Sequence, residues 1–230
     1  MDRPVKRRIA TARSSAAVPK RRNFPAAERE QMIVEAATRF FAEHGFGGQT
    51  RELAKTMRIT HAAIFRYFPT KDALIERVYD HVYLRRWDPA WGALIRDRNL
   101  PLEDRLTRFY QAYAARIFTY EWIRIFVYSG LKANGITPRY LSLIREQIIL
   151  PACEELRFSL GLPDTDGNVS VREEEAFWAM HGKVFYIALR KFVYAVPAPE
   201  NIDEIIADDV RVFLTGAPSL FRSLSNPRKS

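Results

Sequence analysis

The side chains best able to act on another molecule cluster between Gly45 and Ile75, in the stretch GFGGQTRELAKTMRITHAAIFRYFPTKDALI. It reads as two short helices joined by a tight connection at Arg58-Ile59-Thr60, and the second helix, His61 to Phe68, carries Ala62 and Ala63 on one face. Small side chains let a helix lie deep in the major groove of duplex DNA, and Thr60, Arg66, Tyr67 and Lys71 surround that face with donors for phosphate oxygens. His61 suits a base edge as donor or acceptor, and the alanines suit van der Waals contact with thymine methyl groups. Arg66 reaches phosphate or base. Arg51, at the start of the first helix, reads as a contact to phosphate or a guanine edge, with a surface salt bridge as the plainer alternative. Thr60 serves as helix cap and phosphate contact together.

Groupings that would make an enzyme are not found in the sequence. The four histidines, 44, 61, 81 and 181, are scattered and no pair has ligand spacing on one helix. No Gly-x-Ser-x-Gly elbow and no phosphate-cradling glycine loop occurs. The chain is therefore not expected to be an enzyme, an all-helical enzyme being the lesser alternative, and no cofactor or metal is expected.

The elements that must position the 45–75 stretch are helical. Between Ala26 and His44 the apolar residues Met32, Ile33, Ala36, Ala37, Phe40 and Phe41 fall in pairs four apart, one stripe of a helix that Gly45 stops. Thr50 to Met57 exposes Arg51 and buries Leu53 and Ala54. Thr60 caps the next helix, Pro69-Thr70 breaks it, and Thr70 caps a fourth that runs from Lys71 to about Arg86. Ile33, Ala37, Phe40, Leu53, Ile64 and Phe68 form the small core that this unit needs. Further helices are predicted at 102–118, 120–132, 138–160, 171–195 and 201–214, separated by Pro- and Gly-containing breaks. Glu173-Glu174-Glu175 fall in a first helical turn, where carboxylates oppose the dipole, and read as a solvated helix start. No strand pattern or internal repeat emerges, so the fold class is all-α: an N-terminal three-helix helix-turn-helix unit followed by a helical domain.

These residues resemble the TetR family of bacterial repressors. Leu53-Ala54, Ile59-Thr60, Phe65-Arg66-Tyr67-Phe68 and Lys71-Asp72-Ala73-Leu74 occupy the places of the family's short helix, turn, recognition helix and fourth-helix start, and the resemblance covers residues 28 to about 78. It implies that Tyr67 and Lys71 anchor phosphates, the alternative for Tyr67 being a half-buried packing residue. Three positions depart from the pattern. Arg58 stands where the family has Gly in the turn, Phe65 replaces the commoner Tyr, and the Gly45 to Thr50 loop is one residue short, leaving the cap of the second helix between Gly48 and Thr50.

The resemblance further implies double-stranded operator DNA as partner, a homodimer through helices 171–195 and 201–214, and a pocket for a small-molecule effector in the C-terminal domain. Phe177, Met180, Val184, Ile187 and Leu189 give the first of those helices broad apolar faces, and Ile202, Ile205, Ile206, Val210 and Phe213 give the second a stripe. Aromatic residues crowd the middle of the chain and point to a bulky apolar or aromatic effector. Tyr113, Trp122, Phe126, Trp178 and Phe185 are the candidate apolar contacts, with Arg116, Arg124 and His181 as candidate polar ones. The expected function is a DNA-binding regulator, a repressor in the family's usual mode, released by its effector.

Bulk properties set the frame. With 47% hydrophobic and 27% charged residues, the 230-residue chain has the composition of a soluble globular protein, no apolar run is long enough for a membrane span, and a cytoplasmic location is expected. The lone Cys153 excludes an internal disulfide and reads as a buried inert thiol, a redox sensor being the alternative. Net charge is +9, of which residues 1–23 supply +7 through eight Lys and Arg against Asp2. That segment is expected to be a disordered arm. It is a solvated tail, an arm that adds phosphate or minor-groove contacts, or an organellar transit peptide. If the arm drove binding, the chain would be a sequence-indifferent nucleic-acid binder instead. The predicted organisation is 1–23 arm, 24–70 DNA-binding domain, 71–224 effector and dimerisation domain, and 225–230 tail.

Overall fold

The structure, a computed structural model, describes residues 25–132 and 135–225. The basic segment 1–23 and residues 226–230 of the tail lie outside them. Eleven α-helices are present among the described residues, and no strand: α1 Ala26–His44, α2 Thr50–Thr56, α3 His61–Phe65, α4 Lys71–Val82, α5 Ala90–Arg96, α6 Leu102–Ile117, α7 Tyr120–Lys132, α8 Ile136–Ile144, α9 Leu150–Ser159, α10 Val171–Phe192 and α11 Ile202–Ser225. None of these helices is long and apolar enough to cross a membrane.

The N-terminal unit is built as its pattern dictates. Ile33, Ala37, Phe40, Leu53, Ile64 and Phe68 are all buried, and α1 packs on α4 and α7. Thr60 and Thr70 accept the amides of Ala63 and Ala73 as N-caps, satisfying donors that the first helical turn leaves free. One apolar core runs from Ile33 through the aromatic middle of the chain to Phe221.

Several boundaries differ from the sequence reading. α3 is shorter than the predicted 61–68, because Phe68 precedes Pro69 and the chain closes as a turn, its amides at Tyr67 and Phe68 both meeting the Ile64 carbonyl. The single helix predicted at 138–160 is α8 and α9 joined by a π turn at 145–149. Pro151 follows at the start of α9, and its missing amide and bulky ring disfavour a regular helical turn before it. α5 was not foreseen; it buries Trp91 and Ile95, one turn apart. α11 continues beyond the predicted stop at 214, through Gly216 and Pro218, since Ala217 and Phe221 are buried and Phe221 packs edge-on to Phe177.

Two expectations about faces are corrected. Phe177, Met180, Val184 and Ile187 of α10 and Ile206 and Val210 of α11 are buried within their own chain rather than held free for a partner. The predicted periods were right, but the apolar stripe faces inward. Of the three glutamates at the start of α10, Glu175 is exposed as expected, but the other two are not a solvated cluster. Glu173 is buried, forms a capping box with Ser170, and pairs with Arg157 at 2.6 Å; Glu174 accepts from Arg145 and from the Trp178 indole. Cys153 is buried, and burial pushes its thiol well above the ordinary range, which keeps it protonated and unreactive.

Candidate nucleic-acid interface and internal cavity

The two helices of the 45–75 stretch meet through a strained turn. Arg58 has φ 54°, the left-handed region in which a side chain costs free energy and glycine does not, so the turn keeps the geometry that glycine would give it. α2 begins after Gln49 without a side-chain cap, so neither Gly48 nor Thr50 fills that role. Thr50 bonds instead to the His61 Nε2 at 2.9 Å, joining the start of α2 to the start of α3. His61 also lies 4.6 Å from the Phe65 ring. Its imidazole is thus partly engaged within the unit.

Arg51, Thr60, Ala62 and Arg66 are exposed, and His61, Ala63, Tyr67 and Lys71 are half-buried. Ala62 is therefore open to solvent and Ala63 partly so. Arg66 donates to the Tyr67 hydroxyl at 3.1 Å, which presents a guanidinium and a phenol together. Lys71 is differently placed from a free phosphate anchor. Its ammonium donates to the carbonyls of Phe46 and Gly48, at 2.5 and 2.8 Å, and so ties the α1–α2 loop to the start of α4. Desolvation lowers its pKa, and one N–H remains for an outside acceptor.

A cavity of about 160 Å³ lies in the C-terminal domain, between α6, α7, α8 and α10. Tyr113, Trp122, Phe126, Trp178, His181 and Phe185 line it, so these six sequence candidates come together. Trp122 and Phe126 stack at 5.2 Å, and Phe185 sits edge-on to Phe126 at 5.3 Å. Burial drives the His181 pKa down to about 4, so the imidazole is neutral at physiological pH, and its Nδ1 has no hydrogen-bond partner among the described residues. Tyr140, Leu141 and Gly182 complete the wall and were not singled out from the sequence. Tyr140 was legible in principle, as one more aromatic residue on a predicted helix.

Arg116 and Arg124 lie elsewhere, which corrects their candidacy. Arg116 pairs with Asp88 at 3.0 Å and bonds the Arg86 carbonyl. Arg124 donates to the Ala42 carbonyl, the Phe192 carbonyl and the Tyr128 hydroxyl, binding α7 to the C-terminal ends of α1 and α10. Long guanidinium side chains on an aromatic-rich helix reach for main-chain carbonyls at helix ends, where the negative end of the dipole awaits them.

The interface and the cavity are physically joined through α4. Arg139 of α8 grips Glu76 of α4 with bonds of 2.8 and 2.9 Å and lies over the Tyr79 ring. Just past α4, the buried Tyr83 packs against Trp122 and Tyr140.

Comparison with known proteins bears on the N-terminal unit and on the fold. The family model for bacterial regulatory proteins of the tetR family matches residues 33–78. Over 56 residues the chain is 36% identical to the HTH-type transcriptional regulator LuxR of Vibrio harveyi, covering 24% of this chain and 27% of that protein. Over 65 residues it is 38% identical to a protein of Mycobacterium tuberculosis named an HTH-type transcriptional repressor, covering 27% and 35%. The chain thus matches about a third or less of these relatives' own length. Among solved structures, a TetR-like transcriptional regulator from Rhodococcus is similar with a TM-score of 0.62 at 18% identity, over 84% of this chain and 100% of that one. AmtR of Mycobacterium smegmatis is similar with a TM-score of 0.58 at 18% identity, over 92% and 97%. The helix-turn-helix unit thus matches the model for bacterial regulatory proteins of the tetR family over residues 33–78, and the chain shares the fold of TetR-like regulators over most of its length.

Proposed function

We propose that this regulator is a homodimeric repressor that places α3 of each protomer in the major groove of a palindromic operator and leaves DNA when a small molecule fills the cavity. The observation that carries the reading is the open Ala62 and Ala63 face, rimmed by Arg51, Thr60, Arg66 and Tyr67. Within it, Ala62, Ala63 and His61 meet bases, Arg51 and Arg66 reach phosphate or base, and Thr60, Tyr67 and Lys71 meet phosphates. One relative in this domain is named a repressor, which favours repression over activation.

Dimerisation uses the outer faces of α10 and α11, where Ala179, Gly182 and Tyr186 on one helix and Val212, Thr215 and Ser219 on the other stay exposed in the single chain. Two readers on a twofold assembly must meet grooves about one helical turn apart, or a multiple of it. A ligand between α6, α7, α8 and α10 presses on Trp122 and Tyr140, and through Tyr83 and Arg139 on α4, so that the state with matched spacing is disfavoured. The ligand needs only to prefer the other state, and a coupling of about 1–3 kcal/mol is typical.

Footprinting on duplexes selected from a random pool tests this. A short, near-palindromic protected site is expected. Equal protection of every sequence would replace this reading with a sequence-indifferent binder driven by the basic arm.

A further inference from the structure

The cavity's chemistry is narrower than an apolar pocket in general. Its volume of about 160 Å³ is close to that of an engineered apolar cavity in another protein, about 150 Å³, that admits benzene. A bulky effector, as the count of aromatic residues suggests, is therefore too large for it. No residue of its lining carries a charge at neutral pH. Arg116 and Arg124, the nearest sequence candidates for holding an anion, are committed to Asp88 and to main-chain carbonyls. An ionised ligand would have to be desolvated there without a counter-charge.

Polar demand within the wall is small but definite. The Trp178 indole donates to Glu174, and the Tyr113 and Tyr140 hydroxyls are hydrogen-bonded to each other. Among the described residues, two polar atoms of the wall remain unpaired, Trp122 Nε1 and His181 Nδ1, on side chains that are 1% and 7% exposed. An indole N–H only donates, and a neutral imidazole has one donor and one acceptor. Buried donors without partners are costly, and a small ligand oxygen relieves that cost where a hydrocarbon does not.

We propose that the cavity takes an uncharged, single-ring aromatic molecule bearing one hydroxyl or carbonyl group, its ring packed among Trp122, Phe126 and Phe185 and its oxygen bonded to His181 or Trp122. This rests on the reading of the cavity as the effector site. His181 sets specificity by telling a ring with an oxygen from a bare ring of the same size.

Calorimetry and thermal-shift measurement on the full chain at pH 7, with phenol, toluene, benzoate and 2-naphthol as probes, test the proposal. Phenol is expected to raise the Tm and to bind about tenfold more tightly than toluene, the margin of one added hydrogen bond. Benzoate is expected to give no shift, and 2-naphthol to bind more weakly than phenol. His181→Phe or Trp122→Phe is expected to erase phenol's lead while toluene still binds, toluene binding serving as the check that the variant is folded. The proposal is overturned if benzoate or 2-naphthol matches phenol, if phenol is no better than toluene, if both variants keep phenol's lead, or if no probe binds. Phenol binding that leaves the DNA complex intact would instead overturn the regulatory reading of the cavity and spare the ligand class.

Discussion

The hydroxyl of Tyr83 donates to the main-chain carbonyl of Trp122 at 3.0 Å, and its ring lies 4.8 Å from that indole. Tyr83 closes the helix that begins at Lys71, and Trp122 is a wall of the cavity. One contact thus joins the element behind the reading helix to the space where a ligand would sit. Packed cores shift between discrete arrangements rather than deform smoothly, so on the proposed reading a displaced Trp122 would be passed on to α4.

Tyr83→Phe removes that hydrogen bond and keeps the ring. Stability is expected to fall by about 1 kcal/mol, with ligand affinity nearly unchanged. Ligand-driven release of DNA should weaken by a similar amount. Titrating the DNA complex with ligand, beside ligand binding to the free protein, separates the two; equal release by variant and parent would remove Tyr83 from the path.

Lys71 and Tyr67 separate structure from contact. Lys71→Ala loses two charge-assisted bonds to the α1–α2 loop, so it is expected to cost about 1–3 kcal/mol of stability and also to weaken binding to operator and random DNA alike. Tyr67→Phe is expected to weaken both DNAs equally at unchanged Tm. Denaturation curves and fluorescence anisotropy on the two DNAs provide the readout, and a change confined to base preference would contradict phosphate contact by either residue.

Arg58→Gly is expected to stabilise the fold. The left-handed backbone at Arg58 strains any residue with a Cβ, and glycine relieves about 1 kcal/mol, less the added entropy of its unfolded chain. Urea denaturation midpoints give the comparison. A destabilised glycine variant would mean that the Arg58 side chain contributes more than its backbone costs.

Acid should weaken the protein earlier than its carboxylates alone would allow. His181 stays neutral when folded, with a pKa lowered to about 4 from 6.5, so below pH 6.5 the unfolded state binds the extra proton. Stability is therefore complete above pH 6.5 and declines as pH falls toward 4, by about 3 kcal/mol in order of magnitude. Glu155 acts lower on the scale: burial raises its pKa, hydrogen bonds and charge from Arg98 and Arg105 outweigh that, and its net lowering makes its contribution fade below the ordinary carboxylate range. His181→Phe should reduce the slope between pH 6.5 and 4 and leave the parts due to Glu155 and to His81, whose pKa burial also lowers.

Much of this was legible in the sequence because short-range chemistry decides it. Thr60 and Thr70 signal helix starts, and the stripe from Ile33 to Phe41 signals the face of α1. The aromatic cluster of the cavity was legible as types on helices, since rings of that number must gather. Long-range partners were not. Arg124 finds Ala42 across 82 positions of sequence, and Arg105 and Arg98 share the buried Glu155. α5 was hidden because Pro89 and Asp97 leave only two turns of pattern between them. The inward orientation of the α10 and α11 stripes was also out of reach, because a helical period marks an apolar face without saying whether its own chain or another covers it.

Binding by the Ala62→Glu variant tests the central claim most directly. Ala62 is exposed, so the carboxylate should leave the Tm unchanged while its size and charge keep α3 out of the groove. Footprinting of the selected site is expected to show protection by the parent protein and none by the variant at matched salt and equal folded fraction. Protection of the same site by both would contradict the account.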